Sequence, residues 1–228
     1  VVHVPDYCVE EVATHALTLC LACLRSLPTY DRRLRAGEWD WGAGRPVRRL
    51  STLTLGLVGF GRIGRAVAAR AAAFGMDVLA TDPYVSADAM AEAGVERVGF
   101  GALLDRADAV SIHAPLTDET EGLFDADALA RLDDEAVLVN TARGGIVDED
   151  ALHGALTSGA LGAAGLDVFA EEPRTDSPLF DLDSVVVSPH VAWYSEDASE
   201  AVTRRVAEEV VRVLRGDPPR NSVTGERG

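Results

Sequence analysis

The chain has 228 residues, 47% of them hydrophobic and 25% charged, which suits one large domain or two small ones with a sizeable core and excludes wholesale disorder. Asp and Glu number 37 against 21 Lys plus Arg, a net charge of −16. A surface so acidic repels phosphate backbones and excludes nucleic acid as a direct partner.

All 21 basic residues are Arg. The charge is also uneven. Residues 1–50 hold 7 Arg and 6 acids, whereas residues 51–228 hold 14 Arg and 31 acids, a net of −17. GC-rich codon usage explains missing Lys but not the acidity; a salt-rich, halophilic cytosol explains both. No apolar run reaches the roughly 18 residues of a membrane span, and Val1 to Asp6 do not form a secretory leader. The chain opens without Met, as one beginning mid-protein does. Cys8, Cys20 and Cys23 cannot all pair within one chain, so reduced thiols and a cytoplasmic location are expected. Cys20-Leu21-Ala22-Cys23 matches C-x-x-C by letter, but it lies in an apolar helical run with no further ligand set. It reads as core, and no metal site is expected.

Residues 9–25 predict a strongly apolar helix, with Glu10 and Glu11 near its positive end. Residues 28–50 predict an irregular arm broken by Pro28, Gly37, Gly42, Gly44 and Pro46. Trp39 and Trp41 flank Asp40 there. The helix is too apolar for one exposed face and the arm lacks the acidic excess, so a symmetric homodimer through residues 9–50 is expected.

From residue 50 strands and helices alternate. Strands are predicted at 53–58, 78–80, 109–112, 136–139, within 161–168, and at 185–187. Helices are predicted at 63–74, 87–93, 122–132, 149–156 and 195–215, the last with a stripe of Val202, Val206, Val210 and Leu214. Apolar strands alternating with helices imply an α/β fold, a Rossmann-type doubly wound parallel sheet.

Gly59-Phe60-Gly61-Arg62-Ile63-Gly64 follows a strand and opens a helix, and Asp82 ends the next strand, 18 residues beyond Gly64. In that context G-x-G-x-x-G is a dinucleotide fingerprint. Gly59 permits the turn, Gly61 lets backbone approach the pyrophosphate, and Gly64 lets helix and strand pack. Asp82 can accept from the ribose hydroxyls and repels a 2′-phosphate. Neither Pro83 nor Tyr84 is an Arg that would hold such a phosphate. NAD is therefore the expected cofactor. Later strands lead into His113-Ala114-Pro115, Asn140-Thr141-Ala142-Arg143, Asp167 and Ser188-Pro189-His190. All of these fall on the carboxyl edge of a parallel sheet, where ligands bind.

The segments GFGRIG, NTARGG, DVFAEEP and SPHVAWYSE resemble the D-isomer-specific 2-hydroxyacid dehydrogenases over nearly the whole chain. Trp193 and the DPYVS run are most similar to the C-terminal-binding-protein-like corepressor branch. The resemblance implies Arg143 as substrate-binding Arg, His190 as acid/base and Glu172 as its carboxylate partner. It implies nucleotide contacts at Asp82, Ala114, Pro115, Thr120, Thr141, Ala142, Asp167 and Trp193, besides the glycine motif, Arg143 and His190. The implied activity is NAD-dependent interconversion of a 2-hydroxy acid and its 2-oxo acid. The alternatives are an NAD-responsive, corepressor-like binding module or an inactive truncated dehydrogenase. The implied organisation is an NAD-binding domain over 1–190, with 1–50 as leading helix and arm. Residues 191–228 return to a substrate domain whose N-terminal part is missing.

Overall fold

The computed structural model describes residues 2–44 and 46–222. In chain order it contains α1 (Val9–Leu24), α2 (Leu27–Arg35), β1 (Thr54–Val58), α3 (Arg62–Ala73), β2 (Asp77–Thr81), α4 (Ala87–Ala91), β3 (Glu96–Arg97) and α5 (Phe100–Leu104). These are followed by β4 (Ala109–Ile112), α6 (Ala126–Leu129), β5 (Val137–Asn140), α7 (Glu149–Ser158), β6 (Ala163–Leu166), β7 (Val185–Val187) and α8 (Glu196–Leu214). The seven strands form one sheet in the order β3-β2-β1-β4-β5-β6-β7, every pair parallel. This is the doubly wound α/β architecture expected from the alternation.

Alternate residues of each central strand feed two cores. Leu55, Leu57, Val137 and Val139 pack with α1 and α3. Val58, Val110, Ile112 and Leu138 pack with α5, α6 and α7. Both faces are covered, so β4 and β5 are buried along their whole length and are mostly apolar. Local signals start the helices. Asp125, Asp148 and Ser195 each accept a backbone N–H in the first turn of α6, α7 and α8, a cap worth about 1 kcal/mol.

Four expectations need correction. Residues 28–50 are not wholly irregular, because α2 occupies Leu27–Arg35. Pro28 lies in its first turn, where a missing N–H costs nothing. The helix expected over 122–132 shrinks to α6, since Gly122 takes φ +61° and Phe124 bridges to Val147. The short β3 and α5 were not foreseen; a two-residue exposed Glu-Arg edge strand carries no apolar period. Finally, α1 needs no second subunit. Val12, Ala13, Ala16, Leu17, Leu19, Cys20, Cys23 and Leu24 are buried against its own sheet and α3. Cys20 and Cys23 are core residues, as expected. The closing helix leaves Val206, Val210 and Leu214 exposed. Among the described residues no helix is long and apolar enough to cross a membrane.

Candidate active site

The carboxyl ends of β1, β4, β5, β6 and β7 lead to a single cavity of about 950 Å3. It lies where the strand order reverses between β1 and β4, the ligand crevice of open α/β sheets. Of the residues singled out in the sequence, Gly61, Arg62, Ile63, Ala114, Pro115, Thr141, Ala142, Arg143, Asp167, His190 and Trp193 line it.

The glycine turn is built as its spacing demands. Gly59 takes φ +97°, and a Cβ there would stand 2.7 Å from the His113 carbonyl carbon. A Cβ on Gly64 would stand 2.3 Å from the Gly59 oxygen. At Gly61 a Cβ would meet nothing within 4 Å, so this backbone faces open space. Gly61 caps α3 without a side-chain acceptor, leaving the helix N-terminus to an anion.

Asp82 lies in a neighbouring cleft with Pro83 and Arg97. Its carboxylate accepts from the Phe60 and Tyr84 N–H groups, each at 2.8 Å, and so ties the end of β2 to the glycine turn. Arg97 carries no local signal, since it stands 15 residues beyond Asp82. Pairing of β3 with β2 brings its Nη2 to 3.5 Å from the Asp82 carbonyl oxygen.

Thr141 sits at the end of β5, and its buried hydroxyl has no hydrogen-bond partner although it lines the cavity. A buried orphan hydroxyl facing a cleft fits a polar ligand. Asn140 shapes the same loop, accepting from Ala142 N–H and donating to the Arg143 carbonyl. Arg143 is exposed and gives one N–H to the Ala142 carbonyl at 2.6 Å. Thr120 does not line the cavity. Its hydroxyl donates to the Pro115 carbonyl at 2.6 Å and accepts from Thr117 N–H, holding the turn after β4.

Glu172 and His190 come together. His190 Nδ1 lies 2.6 Å from Glu172 Oε2, and Glu172 Oε1 accepts the Phe169 N–H at 2.9 Å. Burial works to raise the Glu172 carboxyl, but the hydrogen bonds from His190 and Phe169 outweigh it and hold the group below its ordinary range. With Nδ1 engaged, Nε2 is the ring nitrogen left for a ligand. Asp167 is fully buried, its carboxylate accepting the Ser188 hydroxyl and the Val191 and Ala192 N–H groups.

Several lining residues carried no local motif. Tyr7, Cys8, Val9 and Val12 come from the chain entering α1 and from its first turns. Burial pushes both the Tyr7 and Cys8 groups up, so the thiol is not an activated one. His113 also lines the cavity, and burial pushes it down to about 4, which keeps it neutral. Among the described residues no His, Cys, Asp or Glu group is placed to hold a metal ion.

Residues 17–192 match the family described as D-isomer specific 2-hydroxyacid dehydrogenase, NAD binding domain. The chain belongs to the D-isomer-specific 2-hydroxyacid dehydrogenase family. It is 47% identical over 217 residues to D-3-phosphoglycerate dehydrogenase of Mycobacterium leprae, covering 95% of this chain and 41% of that protein. To glyoxylate reductase of Korarchaeum cryptofilum it is 41% identical, over 99% of this chain and 69% of that one. The D-lactate dehydrogenase of Aquifex aeolicus, crystallised with NAD and lactic acid, superposes with a TM-score of 0.90 at 31% identity, over 99% of this chain and 73% of that one. The chain thus spans well under half of the phosphoglycerate dehydrogenase relative it matches. The open backbone at Gly61, the uncapped start of α3 and the orphan Thr141 hydroxyl fit the NAD for which the family's domain is named.

Proposed function

We propose that this chain is the cofactor-binding part of an NAD-dependent oxidoreductase that interconverts a D-2-hydroxy acid and its 2-oxo acid. The His190–Glu172 contact at 2.6 Å beside the cavity carries this reading. NAD supplies or accepts the hydride when bound. The chain's own residues handle the charge and the proton. Arg143, a planar fork of donors, binds the substrate carboxylate and polarises the adjacent carbonyl. His190 gives a proton from Nε2 to the carbonyl oxygen during reduction and takes it back during oxidation. Glu172 holds Nδ1 and balances the imidazolium charge.

The same reading assigns residues 1–190 to the NAD domain and 191–228 to the return into a substrate domain. The exposed Val206, Val210 and Leu214 of α8 support this as a face made for a neighbour; Val1, Arg45 and residues 223–228 of these ranges lie outside the described residues. A homodimer is proposed through the arm rather than α1. Trp39 and Trp41 are each 91% exposed there, with Leu27 and Leu34 also uncovered. A cytoplasmic site and a salt-rich cytosol complete the proposal.

The test is NADH-dependent reduction of a panel of 2-oxo acids, including glyoxylate and hydroxypyruvate, by the whole enzyme of which this chain is proposed to be the cofactor-binding part, and by its H190A variant. Turnover that falls roughly 10²–10⁴-fold in H190A, with NADH affinity retained, supports the reading. Absent turnover, or an active H190A, rejects it.

A further inference from the structure

We infer that His15 and Ser188 are positioning residues for His190, holding its turn through the buried carboxylate of Asp167; this rests on His190 being the acid/base proposed above. Asp167 ends β6 and is 0% exposed. Its Oδ1 accepts the Ser188 hydroxyl at 2.6 Å and the Val191 N–H at 2.9 Å, and its Oδ2 accepts the Ala192 N–H at 2.9 Å. Its backbone carbonyl accepts the His190 N–H at 2.8 Å. One residue thus fixes four of the five positions from 188 to 192.

The direction of the chain of bonds follows from proton count. Ser188 has a single hydroxyl proton, and a carboxylate can only accept it. The Ser188 oxygen is left as acceptor toward His15 Nε2, at 2.8 Å. His15 is therefore the donor, with its proton on Nε2, and a second proton on Nδ1 leaves that bond in place. The same Nε2 stands 3.6 Å from Asp167 Oδ1, so the ring backs the carboxylate as well as the hydroxyl. His15 is carried by α1, whose apolar face is locked onto the sheet. The network therefore references the turn to the rigid core.

The turn needs that reference. His190 takes φ +54°, in the left-handed region that a side chain disfavours. In this turn the ring stands with Nδ1 against Glu172. If the Ser188 hydroxyl loses its donor or is removed, Asp167 gains freedom to rotate and the Val191 and Ala192 bonds loosen with it. His15 and Ser188 do not touch the reacting atoms in this scheme. They act on His190 alone.

Four variants of this chain test the inference: H15L and S188A, which remove the donor and the hydroxyl, and H15Q and S188T, which retain an N–H and a hydroxyl. Amide hydrogen exchange at Val191 and Ala192 is followed by NMR, with NADH binding by fluorescence and turnover of glyoxylate alongside. H15L and S188A are expected to speed exchange at these two amides by about tenfold, the scale of one lost hydrogen bond to a charged group. Exchange in β6 and NADH affinity stay unchanged, kcat falls by a similar factor, and H15Q and S188T restore both readouts. The inference is overturned if the two amides are unaffected, if exchange rises equally along β6, if the conservative variants fail to rescue, or if an active enzyme keeps its kcat. Where the chain by itself shows no turnover, the exchange rates decide alone whether His15 and Ser188 hold the turn.

Discussion

His190 Nδ1 and Glu172 Oε2 meet at 2.6 Å, although the two residues lie on separate loops beyond β6 and β7. The contact lets a half-exposed histidine keep one nitrogen committed and one available. It also sets a stability signature. Glu172 is held below its ordinary range in the folded chain, so its pairing stabilises the fold fully above the unfolded value near pH ~4.3. That contribution is lost as pH falls through the lower, folded value. Glu172→Gln is expected to lower the melting temperature at neutral pH, with the gap to the unmodified chain closing on acidification. In an active form the same change lowers kcat, because the imidazolium formed during turnover loses its carboxylate. A gap independent of pH together with an unchanged kcat removes Glu172 from its role.

Asp82 and Arg97 share one cleft beside the glycine turn, the place proposed for the adenosine ribose. The Asp82 carboxylate disfavours a 2′-phosphate, whereas the Arg97 guanidinium, at 3.5 Å from the Asp82 carbonyl, favours one. The carboxylate is the nearer to the glycine turn, through its bond to Phe60. NADH is expected to bind at least about tenfold tighter than NADPH, or ~1.4 kcal/mol. Asp82→Ala narrows that gap and Arg97→Ala widens it. Fluorescence titrations of both cofactors against the three proteins check this, and equal affinity in the unmodified chain refutes it.

Burial pushes His113 down to about 4, and its Nε2 lies 2.9 Å from the Ser111 hydroxyl. A histidine kept neutral on folding is protonated more readily when unfolded, near pH ~6.5. The unfolded state then binds more protons, so stability falls as pH drops from about 6.5 toward 4. His113→Gln is expected to flatten the melting temperature across that window while leaving other acid-sensitive groups in place. Parallel curves for the two proteins contradict the assignment.

The strands and the glycine turn were legible because their signals are local. An apolar run such as Ala136–Val139 or the spacing of Gly59, Gly61 and Gly64 needs no distant partner to be read. That Arg143, Asp167 and His190 would share one edge was legible too, since a parallel sheet puts all carboxyl ends on one side. Arg97, His15 and Tyr7 were not. Each reaches the site through strand pairing or helix packing between segments far apart in sequence. The apolar content of α1 was visible, but composition could not say which surface covers it. The covering surface is its own sheet.

The arm now carries the dimer expectation. Trp39 and Trp41 stand 91% exposed, and large aromatics left uncovered mark interaction surfaces. Sedimentation at high protein concentration is expected to give a dimer for the unmodified chain and a monomer for W39A/W41A. A monomer of 24.1 kDa from the unmodified chain rejects the arm as an interface.

Salt should stabilise this protein. Several exposed Arg side chains are paired, as in Arg106–Glu96 at 2.7 Å and Arg131–Asp105 at 2.6 Å, but 37 acids share 21 Arg. The surplus carboxylates repel one another, and compaction brings them closer than in the expanded chain. Added salt weakens both the pairs and the repulsion, shortening the screening distance from about 10 Å at 0.1 M to about 3 Å at 1 M. The repulsion dominates because every carboxylate beyond the pairs contributes to it, whereas exposed pairs are individually weak. Residues 51–228 carry a net of −17, so the effect concentrates in the sheet and its helices rather than in the arm. The melting temperature is expected to rise steeply between dilute buffer and molar KCl. Codon bias alone would leave the protein nearly indifferent to salt. A melting temperature unchanged or lower in 2 M KCl assigns the missing Lys to codon usage and ends the case for a salt-rich cytosol.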